Sequence, residues 1–216
     1  MKVVGLFAGI GGIELGLGRE GRHSNLLCEI DSEDQRVLAK RFPESELIAD
    51  VRELEDLPDD VDLVAAGFPC QDLSQAGQTR GIQGENSGLV DHVFRLLRNA
   101  HRPPTWLLIE NVPFMLQLDR GQAMRHLTQS LESMGFRWAY RVVDARCFGL
   151  PQRRRRVILL ASTEADPRQV LFARDSGPPN EESSDASAYG FYWTEGTRGL
   201  GWAVDAIPTL KGGSTI

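Results

Sequence analysis

Long apolar runs are missing from this chain. No stretch approaches the roughly 18 consecutive apolar residues that a membrane helix needs, although 41% of the 216 residues are hydrophobic. The opening segment, Met1-Lys2-Val3-Val4-Gly5-Leu6-Phe7, has no charged leader and no small-residue cleavage site, which argues against a signal peptide. Cysteine is scarce. The three residues, Cys28, Cys70 and Cys147, form no CxxC pair. An odd, sparse count argues against a disulfide framework and fits a reducing cytoplasm. The four histidines, His23, His92, His101 and His126, have no metal-ligand spacing, so no structural zinc is expected. Internal repeats are absent. Basic charge is in deficit, with 24 Lys and Arg against 30 Asp and Glu and a net charge of -6, which as an average argues mildly against a nucleic-acid partner.

That average hides a basic cluster, Arg153-Arg154-Arg155-Arg156, with Arg137, Arg141 and Arg146 upstream. Phosphates are met by a local patch rather than by total charge. The cluster reads equally as a solvated strand edge. Elsewhere short apolar runs alternate with helical periodicity. Strands are expected at Val3–Phe7, Leu26–Ile30, Leu47–Ala49, Val61–Ala66, Thr105–Ile109, Trp138–Val143 and Val157–Ala161. Helices are expected at Ile13–Arg19, with Ile13, Leu15 and Leu17 apolar, and at Glu33–Phe42, Leu89–Asn99 and Gln122–Met134, the last stopped by Gly135. This alternation predicts an α/β fold, a mostly parallel sheet with helices on both faces. Beyond Ala161 the pattern ends. Asp175–Ser187 reads as a linker, and Tyr189–Ile216 mixes aromatics with glycines.

Four segments can carry chemistry. Phe7-Ala8-Gly9-Ile10-Gly11-Gly12 is a glycine turn between a first strand and a first helix, where a ligand can approach the backbone. It is GxGG rather than GxGxxG, so a plain strand–helix connection is the bland alternative. Glu29, ending the next strand, is placed to bond ribose hydroxyls. Asp50, ending the third, is placed to meet an adenine amine or to cap a turn. Gly67-Phe68-Pro69-Cys70-Gln71 follows a strand, at the sheet edge where open α/β folds bind ligands. A lone cysteine is more often a small buried residue, but flanking Pro and Gly on a loop favour a nucleophile. Gly77, Gly81, Gly84 and Gly88 continue that loop and suit a lid. Glu110-Asn111-Val112 follows the strand ending at Ile109 and brings a carboxyl group to the same edge. In Pro151-Gln152-Arg153-Arg154-Arg155-Arg156, a strand starting at Arg154 would put Arg154 and Arg156 on one face.

These segments, in this order, resemble the cytosine-carbon-5 DNA methyltransferase family: FAGIGG at 7–12, Glu29, GFPCQDLSQAG at 67–77, ENV at 110–112 and PQRRRR at 151–156. The resemblance spans about residues 3 to 162. It implies a Rossmann-like S-adenosyl-L-methionine-dependent methyltransferase fold in the cytoplasm, with double-stranded DNA as substrate and a role such as restriction–modification. It divides the chain into a catalytic domain, 1–162, and a linker with the start of a target-recognition region, 163–216. Cys70 would add to carbon 6 of a flipped-out cytosine. Glu110 would hold ring nitrogen 3, protonated or paired with the exocyclic amine, and Arg154 would contact the base's oxygen.

Phe7, Gly9, Gly11, Glu29, Ile30, Asp50 and Leu89 would hold the cofactor. Pro69, Gln71, Ser74, Asn111, Gln152 and Arg156 would frame the substrate, with Arg156 alternatively structural or paired with a carboxylate. Glu85-Asn86-Ser87-Gly88-Leu89 has serine where the family carries arginine. Nothing after Ala161 matches the family's recognition region or its two final motifs, one of which returns to complete the cofactor sheet. A second subunit or a further segment is therefore expected to supply them. Other readings are the same chemistry on tRNA, a non-catalytic module that binds cofactor or nucleic acid, and a nicotinamide-dependent oxidoreductase.

Overall fold

The structure is a computed structural model that describes residues 1–69, 88–174, 189–193, 200–204 and 207–208. Seven strands form one sheet: β1 (Lys2–Leu6), β2 (His23–Cys28), β3 (Glu46–Ile48), β4 (Leu63–Ala66), β5 (Trp106–Asn111), β6 (Arg137–Asp144) and β8 (Arg155–Ser162). Their order is β3-β2-β1-β4-β5-β8-β6. β1 pairs in parallel with both β2 and β4, and β4 pairs in parallel with β5. β8 runs antiparallel to β5. All seven strands lie within residues 2–162, with no returning segment among them.

The helices are α1 (Gly12–Arg19), α2 (Ser32–Arg41), α3 (Leu89–Asn99), α4 (Gln122–Ser133) and the short α5 (Pro167–Leu171). From β1 the chain steps outward to β2 and β3, then returns to β4 on the other side and steps to β5. Right-handed crossovers then place α1 and α2 on one face and the later helices on the other. Each element has a local cause. The Asp31 carboxylate caps α2 by accepting from the N–H groups of Glu33 and Asp34. α3 buries Val90, Val93, Phe94, Leu96 and Leu97 along one stripe. Gly135, at φ 82, follows the end of α4, as its sequence position suggested.

The chain falls into two compact units, 1–141 with 157–173, and 142–156 with 174–216. The first holds most of the sheet and its core, including Val3, Val64, Leu107, Ile109 and Leu159, all with essentially no exposure. In the second, a 3-10 turn at Ala145–Phe148 leads to β7 (Gln152–Arg153), which pairs in parallel with β11 (Ile207–Pro208). β9 (Tyr189–Trp193) and β10 (Leu200–Val204) form an antiparallel hairpin where composition alone suggested no element.

Three expectations need correction. β5 does not stop at Ile109. Glu110 and Asn111 stay in register with Ile158 and Val157 of β8, and the strand ends only before Pro113, which opens a 3-10 turn. Arg154 starts no strand; it lies between β7 and β8, donating its N–H to the Gln152 carbonyl at 2.8 Å. In α1, Leu15 is exposed and Glu14 points inward with Ile13 and Leu17. Ile13 and Leu17, one helical turn apart, face the core with Glu14, and Leu15 falls on the other side.

Glu14 is 2% exposed and its Oε2 has no hydrogen-bond partner. Its carboxyl fills the space that Gly5 of β1 leaves open, since a Cβ on Gly5 would run into Glu14 and stand 3.0 Å from Leu27 Cδ2. Gly5→Ala is therefore expected to cost about 1–3 kcal/mol through overpacking. An unchanged midpoint in urea unfolding would show that the space is not limiting. Burial also pushes the Glu14 carboxyl above its ordinary 4.5. The folded chain holds that proton more tightly, so the carboxyl's contribution is favourable at low pH and is lost as pH rises through the raised value. The stability advantage of Glu14→Gln over the native chain should thus grow as pH climbs past 4.5. A pH-independent difference in unfolding free energy would refute this.

Candidate cofactor and active site

The loops after β1 to β5 share one edge of the sheet, because parallel strands end on the same side. The turn after β1 is conformationally costly. Phe7, Gly9 and Gly11 have φ of 56, 54 and 81, and Phe7 does so with a side chain. Gly9 donates its N–H to Glu29 Oε2 at 2.7 Å, and Asp31 donates to Glu29 Oε1 at 2.9 Å. One carboxylate thus ties the β1 loop to the β2 loop and keeps outward lone pairs on both oxygens. The Gln35 side chain donates to the Glu29 carbonyl at 2.7 Å and holds that backbone from α2. Gly11 is buried, and a Cβ there would meet the Phe42 ring. Its lack of a side chain lets α1 begin close against the end of α2.

Phe7, Cys28, Glu29, Ile30, Ala49, Asp50, Val51, Arg52 and Leu89 enclose a cavity of about 70 Å³. Five of the seven residues expected to hold the cofactor line it: Phe7, Glu29, Ile30, Asp50 and Leu89. Gly9 and Gly11 stand in the adjoining turn. Ile30 is 68% exposed, an open apolar surface beside the cavity. Partial burial, then the neighbouring Asp31 and Glu29 carboxylates, push Asp34 upward. Hydrogen bonds from Arg52 hold Asp50 below the usual carboxylate range. Burial, then Asp50 and Glu29, push the Cys28 thiol up to about 12, so it stays protonated and inert. Burial, then Arg95 and Arg52, hold His92 down. An aromatic ring, an open apolar surface, a carboxylate with outward lone pairs and a second carboxylate suit a ligand with a flat ring, vicinal hydroxyls, an amine and a positive centre. S-adenosyl-L-methionine fits that donor set.

A second group lies where β4 and β5 end. Asn111, 3% exposed, donates its amide to the Phe68 carbonyl at 2.9 Å. Gly67 donates to the Leu6 carbonyl at 3.2 Å. Glu110 Oε2 is 3.6 Å, and the Phe7 carbonyl 3.7 Å, from where a Cβ on Gly67 would stand. The Phe7 and Phe68 rings meet edge to face at 6.2 Å. Alternation along β5 turns Asn111 inward, to anchor the 67–69 segment, and leaves Glu110 half-buried beside Gly67. Pro69 is exposed at the end of that segment. Cys70, Gln71, Ser74, Gly77, Gly81 and Gly84 lie outside the described residues, whereas Gly88, the last glycine of the loop expected as a lid, directly precedes α3.

In the other unit, Gln152 sits in β7, Arg154 is exposed and its carbonyl accepts from the Ala145 N–H at 3.0 Å, and Arg156 donates from its side chain to the Arg155 carbonyl at 2.8 Å. Sequence reasoning missed Arg52 and Gln35. Their signals were spacing alone: two residues beyond Asp50, and one helical turn past the Asp31 cap.

The fold and this edge define the class first: an open, doubly wound α/β domain with a nucleotide-type pocket at the point where strand order reverses. A family model described as C-5 cytosine-specific DNA methylase matches residues 1–188. The chain is 54% identical to the Type II methyltransferase M2.BsuMI of Bacillus subtilis (strain 168), over all of its own length and 57% of that protein. It is 35% identical to M.BsuFI of Bacillus subtilis, over 74% of this chain and 39% of that one. The chain thus spans about half the length of the curated relatives it matches. The S. pombe Dnmt2 methyltransferase structure superposes with a TM-score of 0.64 at 20% identity, covering 84% of this chain and 57% of that one. The Entamoeba histolytica methyltransferase EhMeth does so with a TM-score of 0.61 at 18% identity, over 85% and 57%. These two show the fold. The chain belongs to the C-5 cytosine-specific DNA methylase family.

Asn111→Ala should leave the buried Phe68 carbonyl without its donor and cost about 1–3 kcal/mol of unfolding free energy. Denaturation equal to that of the native chain would mean that this amide does not hold the segment.

Proposed function

We propose that the chain is the cofactor-binding and catalytic part of an S-adenosyl-L-methionine-dependent DNA methyltransferase that modifies carbon 5 of cytosine, within a restriction–modification system. The observation that carries the reading is the juxtaposition of Glu110 and Asn111 with Gly67-Phe68-Pro69, the segment that runs directly into Cys70. The Type II methyltransferase names of the curated relatives support DNA as the substrate and the restriction–modification setting.

Phe7, Gly9, Gly11, Glu29, Ile30, Asp50 and Leu89 hold the cofactor, which when bound supplies an electrophilic methyl carbon. The Cys70 thiolate adds to carbon 6 of the cytosine as the C5–C6 π bond breaks and its electron pair moves to carbon 5, which takes the methyl group; loss of the carbon-5 proton to a base then restores the double bond and expels the thiolate. Only a few per cent of an ordinary thiol is ionised at neutral pH, so a nearby positive charge must help it. Glu110 holds ring nitrogen 3 and moves or shares a proton there. Arg154 steadies the base's oxygen as charge develops. Pro69, Gln71, Ser74, Asn111, Gln152 and Arg156 frame the base, which must leave the duplex at a cost of a few kcal/mol.

Residues 1–162 form the catalytic domain and 163–216 the linker and the start of target recognition. Full activity draws on residues beyond this match, carried by a longer polypeptide or by a second subunit. Sparse cysteines, odd in number, suit the cytoplasm, and no described helix is long and apolar enough to cross a membrane.

The test is transfer of labelled methyl from S-adenosyl-L-methionine to unmodified genomic DNA, with tRNA in a parallel reaction. Label is expected on DNA once the completing segment or subunit is present, and should vanish with Cys70→Ala, while that variant binds the cofactor nearly as before. Undiminished labelling by Cys70→Ala would end the nucleophile assignment. Label on tRNA alone would move the same chemistry to RNA.

A further inference from the structure

We propose that Arg52 is a latch on Asp50 that sets how tightly the adenine end of the cofactor is held. The proposal rests on the reading of this pocket as the S-adenosyl-L-methionine site.

A carboxylate offers about four lone-pair directions. Arg52 approaches Asp50 four ways. Its main-chain N–H donates to Oδ1 at 2.9 Å, its Nε stands 3.0 Å from Oδ1 and 2.9 Å from Oδ2, and its Nη2 donates to Oδ2 at 2.5 Å. The guanidinium therefore covers both oxygens, and an incoming amine finds them occupied. The cavity agrees. At about 70 Å³ it is far smaller than the roughly 300–1,000 Å³ of ligand pockets, so a wall must move to admit a purine.

Most of that wall is fixed. Cys28 and Val51 are buried, and the backbone after β1 and β2 is cross-tied by Glu29. The Arg52 side chain is 64% exposed, against 17% for that of Asp50 beneath it. Rotation of the Arg52 side chain removes the guanidinium and leaves the main-chain N–H on Oδ1. Asp50 then keeps its position and presents Oδ2 to the amine. The latch responds to the adenine and not to the sulfur. It weakens S-adenosyl-L-methionine and S-adenosylhomocysteine alike, which helps the demethylated product to leave.

The experiment is calorimetric titration of the full chain and its Arg52→Ala and Arg52→Lys variants. The probes are S-adenosyl-L-methionine, S-adenosylhomocysteine and an S-adenosyl-L-methionine analogue whose purine lacks the amino group. Removing an exposed ion pair should tighten both natural ligands about two- to five-fold in Arg52→Ala. The amine-free analogue should tighten less than either natural ligand, because it gains the space that Arg52 vacates but has no amine to take its place on Asp50. Arg52→Lys, with no planar fork, should fall between. Equal or weaker binding of S-adenosyl-L-methionine by Arg52→Ala, with the native chain binding it normally, overturns the latch alone. A native chain that binds no S-adenosyl-L-methionine overturns the cofactor reading and the latch with it.

Discussion

Parallel pairing on both sides of β1 is the constraint from which the rest of the molecule follows. A strand paired in parallel with β2 on one flank and β4 on the other points every C-terminal end to one edge. The chain leaves β1 in one direction and comes back to continue in the other, so connecting helices fall on opposite faces and a crevice opens between them. The glycine turn, Glu29, Asp50, the Gly67–Pro69 segment and Glu110 are far apart in the chain. They meet at this edge because the strands before them end there.

The edge is held in place by polar ties rather than by packing alone. Glu29 bridges two loops by accepting from Gly9 and Asp31, and Asn111 fastens the segment before Cys70 by donating to the Phe68 carbonyl. Each uses a backbone group that would otherwise be left unpaired in a semi-buried place, which is where a hydrogen bond matters most. The same economy explains the unusual backbone of Phe7. Its positive φ turns the chain so that Gly9 can reach Glu29 and the ring can meet Phe68. Strain there is stored in a turn whose two ends are fixed by strands.

The chemistry proposed for the chain needs the pocket beside Glu29 and the Glu110 carboxyl in register. Alternation along β5 achieves this economically. Adjacent residues of one strand face opposite ways, so Asn111 anchors the Phe68 carbonyl while Glu110 stands half-buried beside Gly67. β8 keeps that strand regular to its last residue by pairing with it through Val157 and Ile158. A loop starting at Glu110 would not enforce the opposition.

Much of this was legible in the linear chain. Apolar runs and helical periodicity located all seven strands of the large sheet and four helices to within a few residues, since those signals record burial directly. Family motifs named the pocket residues because chemistry demands particular side chains in a particular order. What local pattern could not reveal was phase and partnership. Ile13, Leu15 and Leu17 are all apolar, yet Leu15 is exposed and Glu14 is the buried residue of α1. Arg154 looked like the start of a strand, yet hydrogen bonds to its neighbours hold it between two. The β9–β10 hairpin left no periodic trace among its glycines. The sequence by itself therefore determined the order of elements, the sheet edge that carries the site and the residue types placed there. Only the tertiary structure decided which groups each carboxylate engages, as Asp50 does Arg52, because a side chain's partners depend on distances in space that local pattern does not encode.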